Sequence, residues 1–339
     1  MLAKNNQGID QNKLYYILLG DPSLSLKFPD KKIKIDSING VNIEFSTDTL
    51  KAYGYYTFKG SIRDDSGEIL SNFNGKVLIT VLDKQKNVIT LANDGGSPFL
   101  FKIQENIIYR GISSVKEGKF KFSFYMPKDI DYRVDSGKII MFAFDTLNTF
   151  AGGYLRILVG SSNSNNIIDD EGPIIKIYMN DTNFVSGGIT DSNPLLLVKI
   201  KDNYGINTTG NGVGHDLIAY LDDNYKNYIF LNNYFYNYED INNAGEVRYQ
   251  LLGLSEGKHK ITVKAWDIFN NSVEESIEFY VVTNINFVLN NVTNYPNPFD
   301  EYTGFVFEHN MPGKVLDIEI KIFDLSGRIV KLLKKQIYS

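Results

Sequence analysis

Between Asp169 and Phe279 the apolar residues recur at every second position, and this period fixes what the segment can become. Ile175, Ile177 and Met179 fall on one side of an extended run, with Ile174, Lys176 and Tyr178 on the other. Farther along, Ile261, Val263 and Ala265 share a side, as do Ile277 and Phe279. Successive strand side chains point to opposite faces, so the pattern describes half-buried strands and not helices. Gly, Asn, Asp and Pro separate the runs and supply turn conformations at low cost. The segment 169–284 reads as one β-sandwich of the immunoglobulin-like (Ig-like) kind.

The same period governs the residues before it. IKIDSINGVNIEF, YYTFKGSIRD, KVLITVLDK, NIIYRGISSV, KFKFSFYMP and KIIMFAFD are candidate strands. The clearest places Phe120, Phe122, Phe124 and Met126 on one face. Turn signals divide these runs at positions 64–67, 93–96 and 117–118, which argues for a first β-sandwich over 31–160. The polar, aperiodic stretch after Gly160 gives a linker at 161–168. From 285 to 339, Pro296 and Pro298 fit a loop or sheet edge because they cannot donate ladder hydrogen bonds. Strands are expected at 303–307, 315–323 and 329–333. The expected fold class is all-β, a tandem of β-sandwich (Ig-like) domains with an incomplete C-terminal Ig-like domain.

Charge and composition narrow the function classes. The 339 residues suit two or three domains, and 43% hydrophobic with 22% charged residues is ordinary for a globular protein. A net charge of -5 with no basic tract gives no reason to expect nucleic acid as a partner. No run approaches the ~18 apolar residues of a membrane-spanning helix. The start, MLAKNNQGIDQNKLYY, lacks the apolar centre of a secretory signal. The sequence has no cysteine, which removes disulfides, thiolate metal sites and a thiol nucleophile from this chain.

Local patterns that suggest chemistry are few. Gly210, Gly212 and Gly214 precede His215 and Asp216, but the run leads into an alternating strand. A phosphate loop needs a helix N-terminus to hold its anion, so a turn is the reading here. His215, His259 and His309 stand far apart, without metal-ligand spacing. No serine sits on a GxSxG elbow. A calcium site is the better candidate: Asp169 and Asp170 precede one strand, and Asp267 and Asn270 share a late turn. Calcium takes oxygens from carboxylates, amides and carbonyls, although Asp and Asn are also what plain turns require. No other cofactor is expected.

Several segments carry a resemblance to a known family. LLGDPSLSLKFP resembles the segment that closes the catalytic domain of gingipain-like cysteine peptidases. DDEGPIIKIYMNDTNFVSGGIT, INTTGNGVGHDLIAYLDD, LNNYFY and GKHKITVKAWDIFNNS, in this order, resemble the region after the peptidase domain in the PorU-like sortases of the type IX secretion system. NYPNPF and the residues after it are similar to a C-terminal Ig-like domain of the type IX signal kind, and to that of flagellar hook-capping proteins. The resemblance makes 1–30 the closing segment of a peptidase domain. It covers nearly the whole chain but none of the catalytic part, so no catalytic residue carries over.

The resemblance implies a non-catalytic β-region at the cell surface or outer membrane of Bacteroidetes. The family cleaves C-terminal signals from cargo and attaches the cargo to a lipopolysaccharide anchor. Implied partners are other type IX secretion components and cargo C-terminal domains. The alternative is an Ig-like surface adhesin or carbohydrate-binding module, which would show exposed Tyr or Trp on one face. Trp266 stands in phase with Lys260, Thr262 and Lys264, yet its size favours burial against the loop at Asp169 or the first sandwich. Residues 286–339, read as a domain without its later strands, are expected to be the least stable part.

Overall fold

A computed structural model describes residues 29–44, 49–93, 95–147, 149–163, 167–210, 212, 214–282, 289–309, 315–324 and 326–338. The peptidase-closing segment expected at 1–30 lies outside these residues, apart from its last two. All regular structure among them is β, save one 3-10 turn at Asn232–Tyr234.

Eleven strands precede position 163. They are β1 (Lys31–Ile38), β2 (Val41–Asn42), β3 (Leu50–Ala52), β4 (Tyr55–Arg63), β5 (Gly75–Leu82) and β6 (Lys86–Ile89). Then come β7 (Leu100–Ile103), β8 (Ile107–Lys116), β9 (Lys119–Tyr125), β10 (Asp135–Asp145) and β11 (Phe150–Ser162). Seven of them pair in the order β1-β4-β9-β8-β5-β10-β11, and β11 returns to β1. The short strands β2 and β3 extend the sheet beside β1 and β11, and β6 with β7 forms a separate hairpin. Inside, Phe58 lies flat on Phe122 with centroids 4.7 Å apart, and Tyr109 stacks on Phe124 at 5.0 Å. Burying each such ring contributes about 1.5–3 kcal/mol.

This corrects the sandwich expected for 31–160: the strands form one sheet closed on itself, like a small barrel. The strand that closes it, β11, escapes a sequence reading because Gly152 and Gly153 dilute its apolar alternation. The same glycines permit the closure. β1 runs parallel to β11 with Lys31 opposite Ala151 and Lys32 opposite Gly152. A Cβ on Gly153 would press into the carbonyl of Ile33, so a larger residue would force β1 away. Ser161 and Ser162, expected in the linker, are the last residues of β11, and Ser162 pairs with Ala52 of β3.

The next nine strands build two facing sheets. They are β12 (Ile174–Met179), β13 (Gly188–Thr190), β14 (Leu195–Lys201), β15 (Ile218–Leu221) and β16 (Ile229–Phe230). After them come β17 (Phe235–Asn237), β18 (Ala244–Gln250), β19 (Gly257–Trp266) and β20 (Ser272–Val281). One sheet has the order β12-β14-β18-β17 and the other β13-β20-β19-β15-β16. The alternation seen in the sequence supplies their shared core: Ile175, Ile177, Val198 and Ile200 from one sheet, Ile261, Val263 and Phe279 from the other.

Two hairpins complete the described residues, β21 (Leu289–Tyr295) with β22 (Gly304–His309) and β23 (Val315–Phe323) with β24 (Ile329–Tyr338). Pro296 and Pro298 sit in the loop between β21 and β22, as a residue without an N–H requires. Among the described residues none beyond Val281 is buried. A two-stranded ribbon without a core is marginal in water. Amides of β21 to β24 are therefore expected to exchange far faster than those of β19. Removing residues 284–339 should leave the unfolding midpoint of the remainder unchanged. Equal protection across β19 and β23, by hydrogen exchange read with mass spectrometry, would refute this.

Candidate functional site

Among the contacts between the two large modules, one carboxylate gathers three hydrogen bonds. Asp129 lies in the loop between β9 and β10. Its Oδ2 accepts hydrogen bonds from Asn207 Nδ2 (3.0 Å) and His215 Nδ1 (2.6 Å), and its Oδ1 accepts one from Asn270 Nδ2 (2.8 Å). All three donors belong to the second module. Beside them the Lys128 N–H donates to the Ile268 carbonyl at 2.8 Å. Gly212 explains part of the glycine-rich run, for a Cβ there would sit 2.6 Å from His215 Nδ1 and closer still to Asp129. The glycine admits the carboxylate–imidazole pair, which a side chain would displace.

An acidic triad lies in the second module nearby. Asp202 comes directly after β14 in the turn DNYG, and Asp267 comes directly after β19 in the turn DIFNN. Asp202 Oδ1 accepts from the N–H groups of Tyr204 and Gly205, while Asp267 Oδ1 accepts from those of Phe269 and Asn271. Backbone bonds from Ile268 N–H to the Gly205 carbonyl and from Asn207 N–H to the Trp266 carbonyl hold the two turns side by side. Asp169 joins them, so that one oxygen from each of the three carboxylates falls within 4.8 Å of the others.

The sequence singled out four residues for calcium, and the structure divides them. Asp169 and Asp267 come together, Asp170 is exposed and outside the group, and Asn270 turns its amide to Asp129. Asp202 was missed, although the repeated form, an Asp turn directly after an apolar strand, was visible in both segments. Burial raises the Asp267 carboxyl above its ordinary range. The Asn271 hydrogen bonds oppose the rise, and the charges of Asp202 and Asp169 add to it. Burial raises Asp202 as well. Oδ2 of Asp169 is buried without a hydrogen-bond partner. Asp169, Asp202 and Asp267 are the residues that would hold a hard cation, supplying three of the ~6–8 oxygens that calcium takes.

Of the three histidines, His215 serves the junction and His259 a loop, while His309 lies beside Phe307 in the hairpin of β21 and β22. His215 packs its ring against Trp266, with centroids 4.2 Å apart, and Lys264 lies 5.0 Å from the centre of that indole. Trp266 is thus half-buried and not buried as its size leads one to expect: it keeps to the polar side of β19 that its phase requires, and faces the junction. His259 lies between Asp222, which faces Nδ1 at 2.8 Å, and the Ser255 carbonyl, which faces Nε2 at 2.8 Å. The Ser255 hydroxyl stands 3.4 Å from the same Nε2. Serine, histidine and aspartate are present, but Nε2 must donate to the carbonyl and cannot take the hydroxyl proton as a general base. With an acceptor at each ring nitrogen, the doubly protonated cation is the form that fits.

Fold and site together define an all-β protein in which a closed sheet and a two-sheet module are pinned by a shared polar junction. The chain is similar to the crystal structure of dimeric latent PorU from Porphyromonas gingivalis, with 33% identity, 94% of this chain and 30% of that chain covered, and a TM-score of 0.46. The chain therefore spans under a third of that protein. Fibronectin(III)-like modules of Clostridium thermocellum CbhA match at 13% identity over 74% of this chain and 93% of theirs, with a TM-score of 0.20. The Escherichia coli adhesin FdeC matches at 12% identity over 76% of this chain and 66% of its own, with a TM-score of 0.19. All three superpositions score too low for shape alone to relate function. No family model matches the chain, and no curated protein does.

This geometry makes two outcomes measurable. Asp129→Ala leaves three donors without their charged acceptor, a loss of about 2–4 kcal/mol. Urea unfolding read by Trp266 fluorescence and by circular dichroism should coincide in the wild type and split in the variant; coincident curves at the wild-type midpoint would refute the coupling. For His259, burial disfavours the charge, but the Ser255 carbonyl and then Asp222 outweigh it, and the value rises above the ordinary 6.5. A group raised on folding adds stability that is complete below 6.5 and is lost as pH climbs through the folded value. The wild type should lose stability through this group as pH rises above 6.5, and His259→Gln should show a shallower decline over the same range. Equal slopes in the two proteins would refute the assignment.

Proposed function

We propose that this chain is the C-terminal β-region of a PorU-like type IX secretion sortase, a non-catalytic support for a cysteine peptidase domain. The observation that carries the reading is the run of motifs in family order, from LLGDP through GKHKITVKAWDIFNNS to NYPNPF. The 33% identity over 94% of the chain accompanies it. In this role the chain contributes no nucleophile. It offers surfaces at the cell exterior on which other secretion components and cargo C-terminal domains assemble. The Asp129 junction suits a support, because it fixes the second module against the first through three directional hydrogen bonds.

The reading has a direct test in the transcript that encodes the chain. An in-frame peptidase domain bearing a Cys–His pair is expected ahead of it. A separate start with its own secretion leader would overturn the reading in favour of a free-standing adhesin or sugar-binding module.

A further inference from the structure

The ladder between β8 and β9 stops after two residue pairs, Lys116 with Lys119 and Val115 with Phe120. The next amide of β8 that would continue it, the N–H of Ser114, donates instead to Asp240 Oδ1 at 2.9 Å. The Asp240 N–H in turn donates to the Ile112 carbonyl at 2.9 Å. The edge of β8 is thus occupied by a loop of the second module, whereas among the described residues no such loop meets the facing edge of β9. In β9 the even-numbered backbone groups point to β4, because Met126 N–H donates to the Gly54 carbonyl and the Gly118 carbonyl accepts from Ile62. The Lys121 carbonyl and the backbone of Ser123 therefore face the opposite way. They look into a groove of about 800 Å³ between the parted strands.

The groove is basic. Lys59, Lys116, Lys119 and Lys121 line it, are exposed, and form no ion pair among the described residues. Lys59 and Lys121 are direct cross-strand neighbours, an arrangement that repels and destabilises the sheet. The two acids on the rim are already engaged: Asp36 with Arg63 at 2.9 Å, and Asp240 with the backbone and hydroxyl of Ser114. Deeper in, the seam is closed by apolar rings, Tyr109 against Phe122 and Phe124.

We infer that the groove binds an extended acidic peptide, which adds as a strand to the open edge of β9. Backbone groups of Lys121 and Ser123 supply the ladder, which a glycan or polyphosphate could not use. Alternate side chains then divide: acidic ones meet the lysines on the outer face, and apolar ones turn inward toward Phe122 and Tyr109. The bound carboxylates neutralise the facing pair Lys59 and Lys121. This inference stands on the groove alone and holds whether or not the PorU-like reading does.

The test uses the full chain and a fluorescent peptide that alternates glutamate and valine, with anisotropy as the readout. Binding is expected at low ionic strength and should weaken with added salt, since these charges are exposed to solvent. The Lys59→Gln, Lys121→Gln double variant should bind at least about tenfold more weakly while folding at least as well, because it loses a repulsive pair. The same peptide methylated at alternate amide nitrogens keeps its charge but not its ladder, and should also lose at least about tenfold. Equal binding of the methylated peptide, an unchanged affinity of the double variant, or binding of polyphosphate in place of the peptide would each overturn the inference.

Discussion

Asp129 is the point on which the arrangement of the two large modules turns. A carboxylate of limited exposure must have its oxygens satisfied, and every donor that satisfies it comes from the other module. Hydrogen bonds to an ionised acceptor are stronger and more directional than neutral ones, so the pair is held in one orientation and cannot slide. The donors come from three separate places: Asn207 after β14, His215 before β15 and Asn270 after β19. For all of them to reach one carboxylate, the turns at this end of the second module must already be gathered. Asx turns at Asp202 and Asp267 do the gathering, each fixing its own backbone through bonds that involve no residue of the first module.

The contact also explains why the closed sheet tolerates a weak seam. A ladder of two residue pairs between β8 and β9 would leave a long run of unpaired backbone at that point. The second module fills much of it. Asp240 donates its N–H to the Ile112 carbonyl and accepts the Ser114 N–H on its carboxylate, Asn237 Nδ2 donates to the Arg110 carbonyl at 3.0 Å, and the Thr208 hydroxyl donates to the Ile107 carbonyl at 3.1 Å. Tyr204 adds an edge contact to Tyr125, with centroids 5.3 Å apart. The first module is thus closed on one side by its own glycine-lined pairing and on the other partly by its neighbour.

Legibility in the sequence depends on which interactions are local. Period-two alternation depends only on which face of a strand meets a core, so the strands around Phe122, Ile177 and Val263 could be read directly. Closure through β11 could not, because it depends on Gly153 letting a distant strand approach, and a glycine in sequence reads only as a weak spot. The site divides in the same way. Asp169 and Asp267 were visible as oxygen-rich turns, but Asp202 joins them only once β14 and β19 lie in facing sheets. Proximity in sequence puts Asn270 with the carboxylates, but in space its amide answers a residue 141 positions away. His215 looks like a turn residue in sequence and is, in the folded chain, a donor across the junction.

An open sheet edge is ordinarily blunted by charge, and lysine is a common choice. Four lysines on the rim of the β8–β9 groove fit that protective role, and two of them facing each other would discourage a second copy of this basic edge from pairing there. The same charges do not repel every strand. They discriminate by sign, rejecting neutral or basic segments through desolvation or repulsion while an acidic one relieves the strain between Lys59 and Lys121. Because Asp240 has already occupied β8, only one edge is offered, which also fixes the side on which an incoming strand must pair. Protection from indiscriminate association and selectivity for one kind of partner are therefore the same physical feature, and it exists because the second module covers half of the gap and leaves the other half open.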